Sequence, residues 1–167
     1  MFMYSFRGSL PPPEFVAAVR SGEAAAFCLF NYNAGTPEAV RALTEPLYAA
    51  ARAGRLPPPI LGMDQEGGQL MAVTGGATEL PGNMALGATR SARLAYEAGR
   101  VLGRELLAMG VNMNYAPSLD VNNNPANPVI GIRSFGESPA LVAELGIAVM
   151  RGIESEGVTA TLKHFPG

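Results

Sequence analysis

Asp64, Glu66, Asp120, Arg133, Lys163 and His164 are the residues of this chain whose types and placing suit chemistry. Asp64-Gln65-Glu66-Gly67-Gly68 follows a short apolar run, residues 59–63. A carboxylate at such a place can accept two hydrogen bonds from vicinal hydroxyls, which sugars offer. The paired glycines suit a tight turn or close approach of backbone to a ligand. The plainer reading is that Asp64 and Glu66 cap the turn. Lys163-His164 follows the alternating run Val158-Thr159-Ala160-Thr161-Leu162, which reads as a β-strand. Two ionisable side chains at the C-terminal end of a strand fit a strand-ended active site. Successive strand residues face opposite ways, so both reach one pocket only where the strand stops. A lone histidine is more often a hydrogen-bonded structural residue. Its position beside a lysine at a strand end is what singles His164 out.

Asn114-Tyr115-Ala116-Pro117-Ser118-Leu119-Asp120 runs into Val121-Asn122-Asn123-Asn124-Pro125-Ala126-Asn127-Pro128. Asparagine and proline favour turns and side-chain-to-backbone hydrogen bonds, so this loop is expected to be ordered by its own contacts. One carboxylate is too few for a hard cation. No metal and no cofactor are expected. Ile130-Gly131-Ile132-Arg133-Ser134-Phe135-Gly136 closes the loop. An arginine flanked by apolar residues and glycines can point into a site and bind a carboxylate or hydroxyls. Taken alone, Arg133 is more often a structural ion-pair partner, with Asp120 as the candidate.

Four short apolar runs must position these residues: 24–30, 59–63, 111–115 and 158–162. Three helical segments lie between them. Thr36-Pro37-Glu38 supplies an N-cap, a proline at the first helical position and an acidic first turn. Pro46 is expected to kink or split that helix, because it removes a backbone donor. The second helix starts near Ser91, with Leu94, Ala98, Val101, Leu102 and Met109 as its apolar face and Gly110 at its end. The third begins at Ser138-Pro139, buries Leu141, Val142, Leu145, Val149 and Ile153, and ends at Gly157. Strands alternating with helices predict an α/β fold with a parallel sheet and right-handed crossovers. An open doubly wound sheet and part of a barrel both fit. No Gly-x-Gly-x-x-Gly follows the first run, which weakens a dinucleotide-binding reading. The connections 67–89 and 118–137 are long, and barrels build active sites from such loops. A complete barrel takes about 250 residues, so on the barrel reading four strands in this length are half of a (β/α)8 TIM-type barrel.

Hydrophobic residues at 48% against charged residues at 16% indicate a globular chain. The formal net charge of -2 gives no electrostatic case for a nucleic-acid partner. Cys28 is the only cysteine, which excludes an internal disulfide and suits a reducing compartment. It lies in the first apolar run and is expected to be a buried structural thiol. Met1-Phe2-Met3-Tyr4-Ser5-Phe6-Arg7 lacks the pattern of a signal peptide, and no apolar stretch approaches the ~20 residues of a membrane helix. The expectation is a cytoplasmic protein with no membrane partner.

Taken in order, Asp64-Gln65-Glu66-Gly67-Gly68, Asn114-Tyr115-Ala116-Pro117, Asp120-Val121-Asn122, Val129-Ile130-Gly131, Arg133-Ser134-Phe135-Gly136 and Lys163-His164-Phe165-Pro166-Gly167 resemble a known pattern. It is that of the N-terminal catalytic domain of glycoside hydrolase family 3, in its bacterial β-N-acetylhexosaminidase branch. The resemblance runs from about Gly22 to Gly167. It implies a (β/α)8-type barrel that hydrolyses β-linked N-acetylglucosamine with retention of configuration, in cell-wall fragment recycling. It also implies a small carbohydrate as the partner. By motif matching, Asp64, Arg133, Lys163 and His164 would bind the sugar before the scissile bond, Asp64 accepting and the other three donating. Retaining hydrolysis needs a nucleophile and an acid/base. The resemblance places both after Gly167, so no catalytic residue is expected in 1–167, an incomplete N-terminal portion of the barrel domain. The branch usually carries Arg-Val-x-Arg after the two glycines, where this chain has Gln69-Leu70-Met71-Ala72. That departure leaves room for a β-glucosidase-like enzyme of other sugar preference. A non-catalytic carbohydrate-binding half-barrel is a further alternative, and an aldolase-like barrel with Lys163 as Schiff-base nucleophile a third. The full-length enzyme is expected to be a monomer. These residues alone are expected to self-associate, through bare edges at the first and fourth strands.

Overall fold

The structure, a computed structural model, describes residues 2–165. Its elements run α1 (Pro13–Ser21), β1 (Ala26–Leu29), α2 (Pro37–Gly54), β2 (Ile60–Met63), β3 (Gln65–Gly67), β4 (Leu70–Met71), α3 (Asn83–Thr89), α4 (Ala92–Ala108), β5 (Met113–Asn114), a single 3-10 turn (Gly131–Arg133), α5 (Pro139–Ser155) and β6 (Thr159–Ala160). Thr36, Ser91 and Ser138 cap the three long helices, each side chain accepting from the backbone N–H three residues on. Such caps satisfy donors that no helical carbonyl can reach.

The main sheet has the order β1-β2-β5-β6, and every pairing in it is parallel. Spatial order follows chain order without a reversal. Right-handed crossovers then place all the connecting helices on one face. That excludes a doubly wound sheet, whose strand order reverses, and leaves a segment of a β/α barrel. Phe27, Leu29, Leu61 and Met63 are fully buried on the helix side. On the other side Cys28 is half-buried and the Tyr115 ring lies against Gly62, where any Cβ would collide with the tyrosine hydroxyl. Two asparagines of the third run lock β2 in place. Asn112 accepts from Leu61 N–H and donates to Pro59 C=O; Asn114 accepts from Gln65 N–H and donates to Gln65 C=O. Each amide stands in for a peptide group, which is why buried Asn114 carries no unmet polar atom.

Helices α4 and α5 cross at close range because their facing residues are small. A Cβ on Gly99 would strike Val149 C=O, and one on Gly152 would strike Tyr96 C=O. The apolar face of α4 is therefore Ala95, Ala98, Gly99, Leu102, Gly103 and Leu106. Leu94, expected on that face, is exposed. Small residues set the contact line here, and Leu94 lies off it.

Other expectations also need correction. Helix α2 runs unbroken through Pro46. The missing donor frees the Ala42 carbonyl at an exposed position, while Leu43, Leu47, Ala50 and Ala51 stay buried and hold the helix together. The edge of β1 is not bare: Tyr4 pairs with it in parallel, donating to Ala26 C=O and accepting from Cys28 N–H. Tyr4, Phe6, Phe15 and Phe27 form one aromatic cluster under this contact. An isolated bridge at Tyr4, followed by α1, thus precedes the first expected strand. The long connection 67–89 holds β4 and α3 rather than open loop. The Asn-rich loop is ordered by its own contacts, with Asn124 and Asn127 accepting from backbone N–H groups two and three residues on.

Candidate functional site

Asp64 follows β2 directly, Glu66 sits in the β3–β4 hairpin, and Arg133 ends the 3-10 turn. Beyond β6 the backbone of Lys163 pairs with Ser118, Leu119 N–H donating to Lys163 C=O. The regular strand has therefore ended before Lys163-His164, the condition under which neighbouring side chains can serve one site.

Four of these residues form one ion-pair cluster. Arg133 grips Glu66 with two parallel hydrogen bonds, Nε to Oε2 at 3.0 Å and Nη2 to Oε1 at 2.8 Å. Lys163 Nζ lies 2.5 Å from Glu66 Oε1 and 2.5 Å from Asp64 Oδ1. The Glu66 side chain is 2% exposed, Arg133 11% and Lys163 13%, whereas Asp64 is 34% exposed. Burial pushes the Glu66 carboxyl up, but the hydrogen bonds from Arg133 and Lys163 outweigh it and hold the group below the usual carboxylate range. The Glu66 carboxylate in turn raises the Arg133 guanidinium. Arg133 also donates Nη1 to Val129 C=O, and its own carbonyl accepts from Asn83. The expected Arg133–Asp120 pair does not form; Glu66 takes that place.

Asp120 belongs to a second cluster. Its Oδ2 lies 2.6 Å from His164 Nδ1 and accepts from Ser118 Oγ at 2.8 Å. Ser134 Oγ donates to the Asp120 carbonyl at 2.6 Å. Burial raises the Asp120 carboxyl, and the contacts with His164 and Ser118 more than offset it, leaving it lowered. A cleft of about 620 Å³ opens beside this pair, lined by Asp120, Lys163 and His164 with Leu119, Ile130 and Leu162. The larger cleft, about 880 Å³, lies between α2 and α4 and holds none of the site residues.

The structure thus brings Asp64, Arg133 and Lys163 together through Glu66, and sets His164 beside them through Lys163. From the sequence, Glu66 reads as a turn cap and Asp120 as a loop carboxylate or the ion-pair partner of Arg133, and neither is placed among the sugar-binding residues. The available signal was charge balance: Arg133 and Lys163 need a carboxylate, and Glu66 was at hand. Cys28 is half-buried, raised by burial against a hydrogen bond with Tyr115.

Residues 11–167 match the family described as "Glycosyl hydrolase family 3 N terminal domain". The chain belongs to glycoside hydrolase family 3. Beta-hexosaminidase A of Pseudoalteromonas piscicida is 38% identical over 161 residues, covering 93% of this chain and 27% of that protein. A beta-hexosaminidase of Thiobacillus denitrificans is 41% identical over 145 residues, 83% of this chain and 39% of its own. The chain therefore spans between about a quarter and two fifths of these relatives. Among solved structures, a family 3 beta-N-acetylglucosaminidase from a Paenibacillus species superposes with a TM-score of 0.91 at 44% identity, over 99% of this chain and 31% of that one. NagZ of Neisseria gonorrhoeae, in complex with N-trifluoroacetyl-D-glucosamine, superposes with a TM-score of 0.87 at 30% identity, over 99% of this chain and 49% of that one. These matches extend the family assignment from the motifs to the whole backbone.

Proposed function

We propose that this chain is the sugar-holding part of a retaining β-N-acetylhexosaminidase acting on β-linked N-acetylglucosamine. The observation that carries the reading is the pair of joined clusters at the strand ends. Asp64, a third exposed, offers carboxylate oxygen to vicinal hydroxyls, while Lys163 and His164 line the adjoining cleft. Arg133 keeps two N–H groups beyond the three used on Glu66 and Val129, and these are its donors to the sugar. A ring of fixed polar groups holds a sugar while its anomeric carbon is attacked elsewhere. Asp64 and Glu66 are each engaged by a cation and Asp120 by the His164 ring, so none stands as an unpaired nucleophile facing an acid. The nucleophile and the acid/base therefore come from other residues of the full enzyme. Lys163 is held in a double ion pair rather than the apolar pocket that activates a Schiff-base lysine, which disfavours an aldolase reading. A cytoplasmic role in cell-wall fragment recycling completes the proposal.

A second reading has support of its own. Gln69 and Ala72, on either side of β4, stand where the branch usually carries arginines, and a Cellulomonas fimi relative named beta-N-acetylglucosaminidase/beta-glucosidase is 35% identical over 159 residues. Competition of N-acetylglucosamine against glucose for binding to the chain separates the two, and a chromogenic assay with both glycosides tests for catalysis. The expected result is no turnover by these 167 residues. Turnover that survives Lys163→Ala would overturn the assignment.

A further inference from the structure

We propose that Asp120, backed by Ser118, is a positioning residue that fixes the ring tautomer of His164, so that neutral His164 presents a bare Nε2 and accepts a hydrogen bond from a ligand hydroxyl. The inference rests on the sugar-site reading for its ligand but not for its geometry. The contact between Asp120 Oδ2 and His164 Nδ1 is 2.6 Å. An ionised carboxylate can only accept, so Nδ1 must carry the hydrogen, and in a neutral ring Nε2 is then the acceptor. Ser118, fully buried, donates to the same Oδ2 and holds the carboxylate in place. The backbones of the two partners are also joined, because Ser118 pairs with Lys163 and Leu119 N–H donates to Lys163 C=O at 2.6 Å. That pairing holds the two backbone segments that carry the carboxylate and the ring side by side.

Competing partners are accounted for among the described residues. Glu66 is taken by Arg133 and Lys163, and Asp64 by Lys163, leaving Asp120 as the carboxylate on the ring. The imidazole is 48% exposed, and His164 lines the 620 Å³ cleft together with Asp120 and Lys163. A bare Nε2 there welcomes a hydroxyl and rejects a group that can only accept, such as an ether or carbonyl oxygen. His164 is thus an acceptor in its neutral form, not the donor that motif matching implies. Together with Lys163, which only donates, it asks the ligand for both faces of hydroxyl chemistry.

His164 is the only histidine, so long-range 1H–15N correlation spectra of the 15N-labelled chain report its tautomer without assignment. At a pH where the ring is neutral, the expected spectrum shows Nδ1 protonated and Nε2 bare. Asp120→Asn should move the ring toward the Nε2–H form, as amides in this role do elsewhere. Asp120→Glu should restore the Nδ1–H form. Added N-acetylglucosamine should shift the Nε2 resonance in the native chain, and its affinity should fall roughly tenfold in Asp120→Asn, the loss of one charge-supported hydrogen bond. A native ring that is mainly Nε2–H, or a tautomer unchanged in folded Asp120→Asn, overturns the proposal. If Asp120→Asn does not fold, the native spectrum decides alone. An Nδ1–H ring that ignores the sugar upholds the positioning role and overturns the sugar-site reading instead.

Discussion

Replacing Glu66 by glutamine removes one charge and keeps the shape of the side chain. Glu66 is 2% exposed and is shared by Arg133 and Lys163, themselves 11% and 13% exposed. Breaking a buried ion pair from one side costs about 3–5 kcal/mol, because the remaining charges lose their partner. Lys163 retains Asp64, which is partly exposed, so the lower end applies and about 3 kcal/mol is expected. At roughly 2–4 °C per kcal/mol for a chain of this size, the melting temperature should fall by roughly 6–12 °C. Glu45→Gln is the control. It breaks an exposed pair with Arg52, whose side chains are 47% and 65% exposed, and pairs of that kind contribute about 0.2–1 kcal/mol. Thermal melts followed by far-UV circular dichroism compare the two variants. If Glu66→Gln melts within about 2 °C of Glu45→Gln, the buried cluster does not organise the site and the reasoning fails.

Three further outcomes are expected. The folded-state values of Glu66 and Asp120 lie below the ordinary ones, so their stabilisation is complete above the unfolded values near ~4 and is lost as pH falls through the lower folded values. Denaturant midpoints should therefore drop below pH ~4, less steeply in Glu66→Gln; parallel acid limbs would contradict this. Gly152→Ala places a methyl against Tyr96 C=O, 2.8 Å from Arg100 N and 2.9 Å from Gly99 Cα. Overpacking of this sort costs about 1–3 kcal/mol, and an unchanged melt would refute the close crossing of α4 and α5. Among the described residues β6 pairs only with β5, so light scattering should find association through that edge. A monodisperse monomer with a cooperative melt would count against it.

Much of this arrangement can be read from local sequence. Thr36, Ser91 and Ser138 announce the helix starts, and Lys163-His164 after an alternating run announces a strand-ended site. What escapes is set by long-range partners. Glu66 meets Arg133 across 67 positions, and nothing in the Asp-Gln-Glu-Gly-Gly turn says which carboxylate will be buried. Leu94 looks like a core residue by periodicity, but the small residues Gly99 and Gly152 bring α4 and α5 together elsewhere. The bridge at Tyr4 has a signal that is easily passed over: Phe2, Tyr4 and Phe6 alternate as strand residues do. A proline usually ends a helix, yet α2 continues past Pro46 because the buried residues on its far side outweigh one lost bond.

Calorimetric titration of the chain with N-acetylglucosamine tests the central claim most directly. Saturable binding with Kd on the order of 1 mM is expected, matching about 4 kcal/mol for one sugar ring. Asp64→Ala and Lys163→Ala, each with a native circular dichroism spectrum, should weaken it at least tenfold, since a hydrogen bond to a charged group contributes about 1.5–3 kcal/mol. No saturable binding by the native chain, or the same affinity in folded Asp64→Ala and Lys163→Ala, would show that these strand-end residues do not hold the sugar.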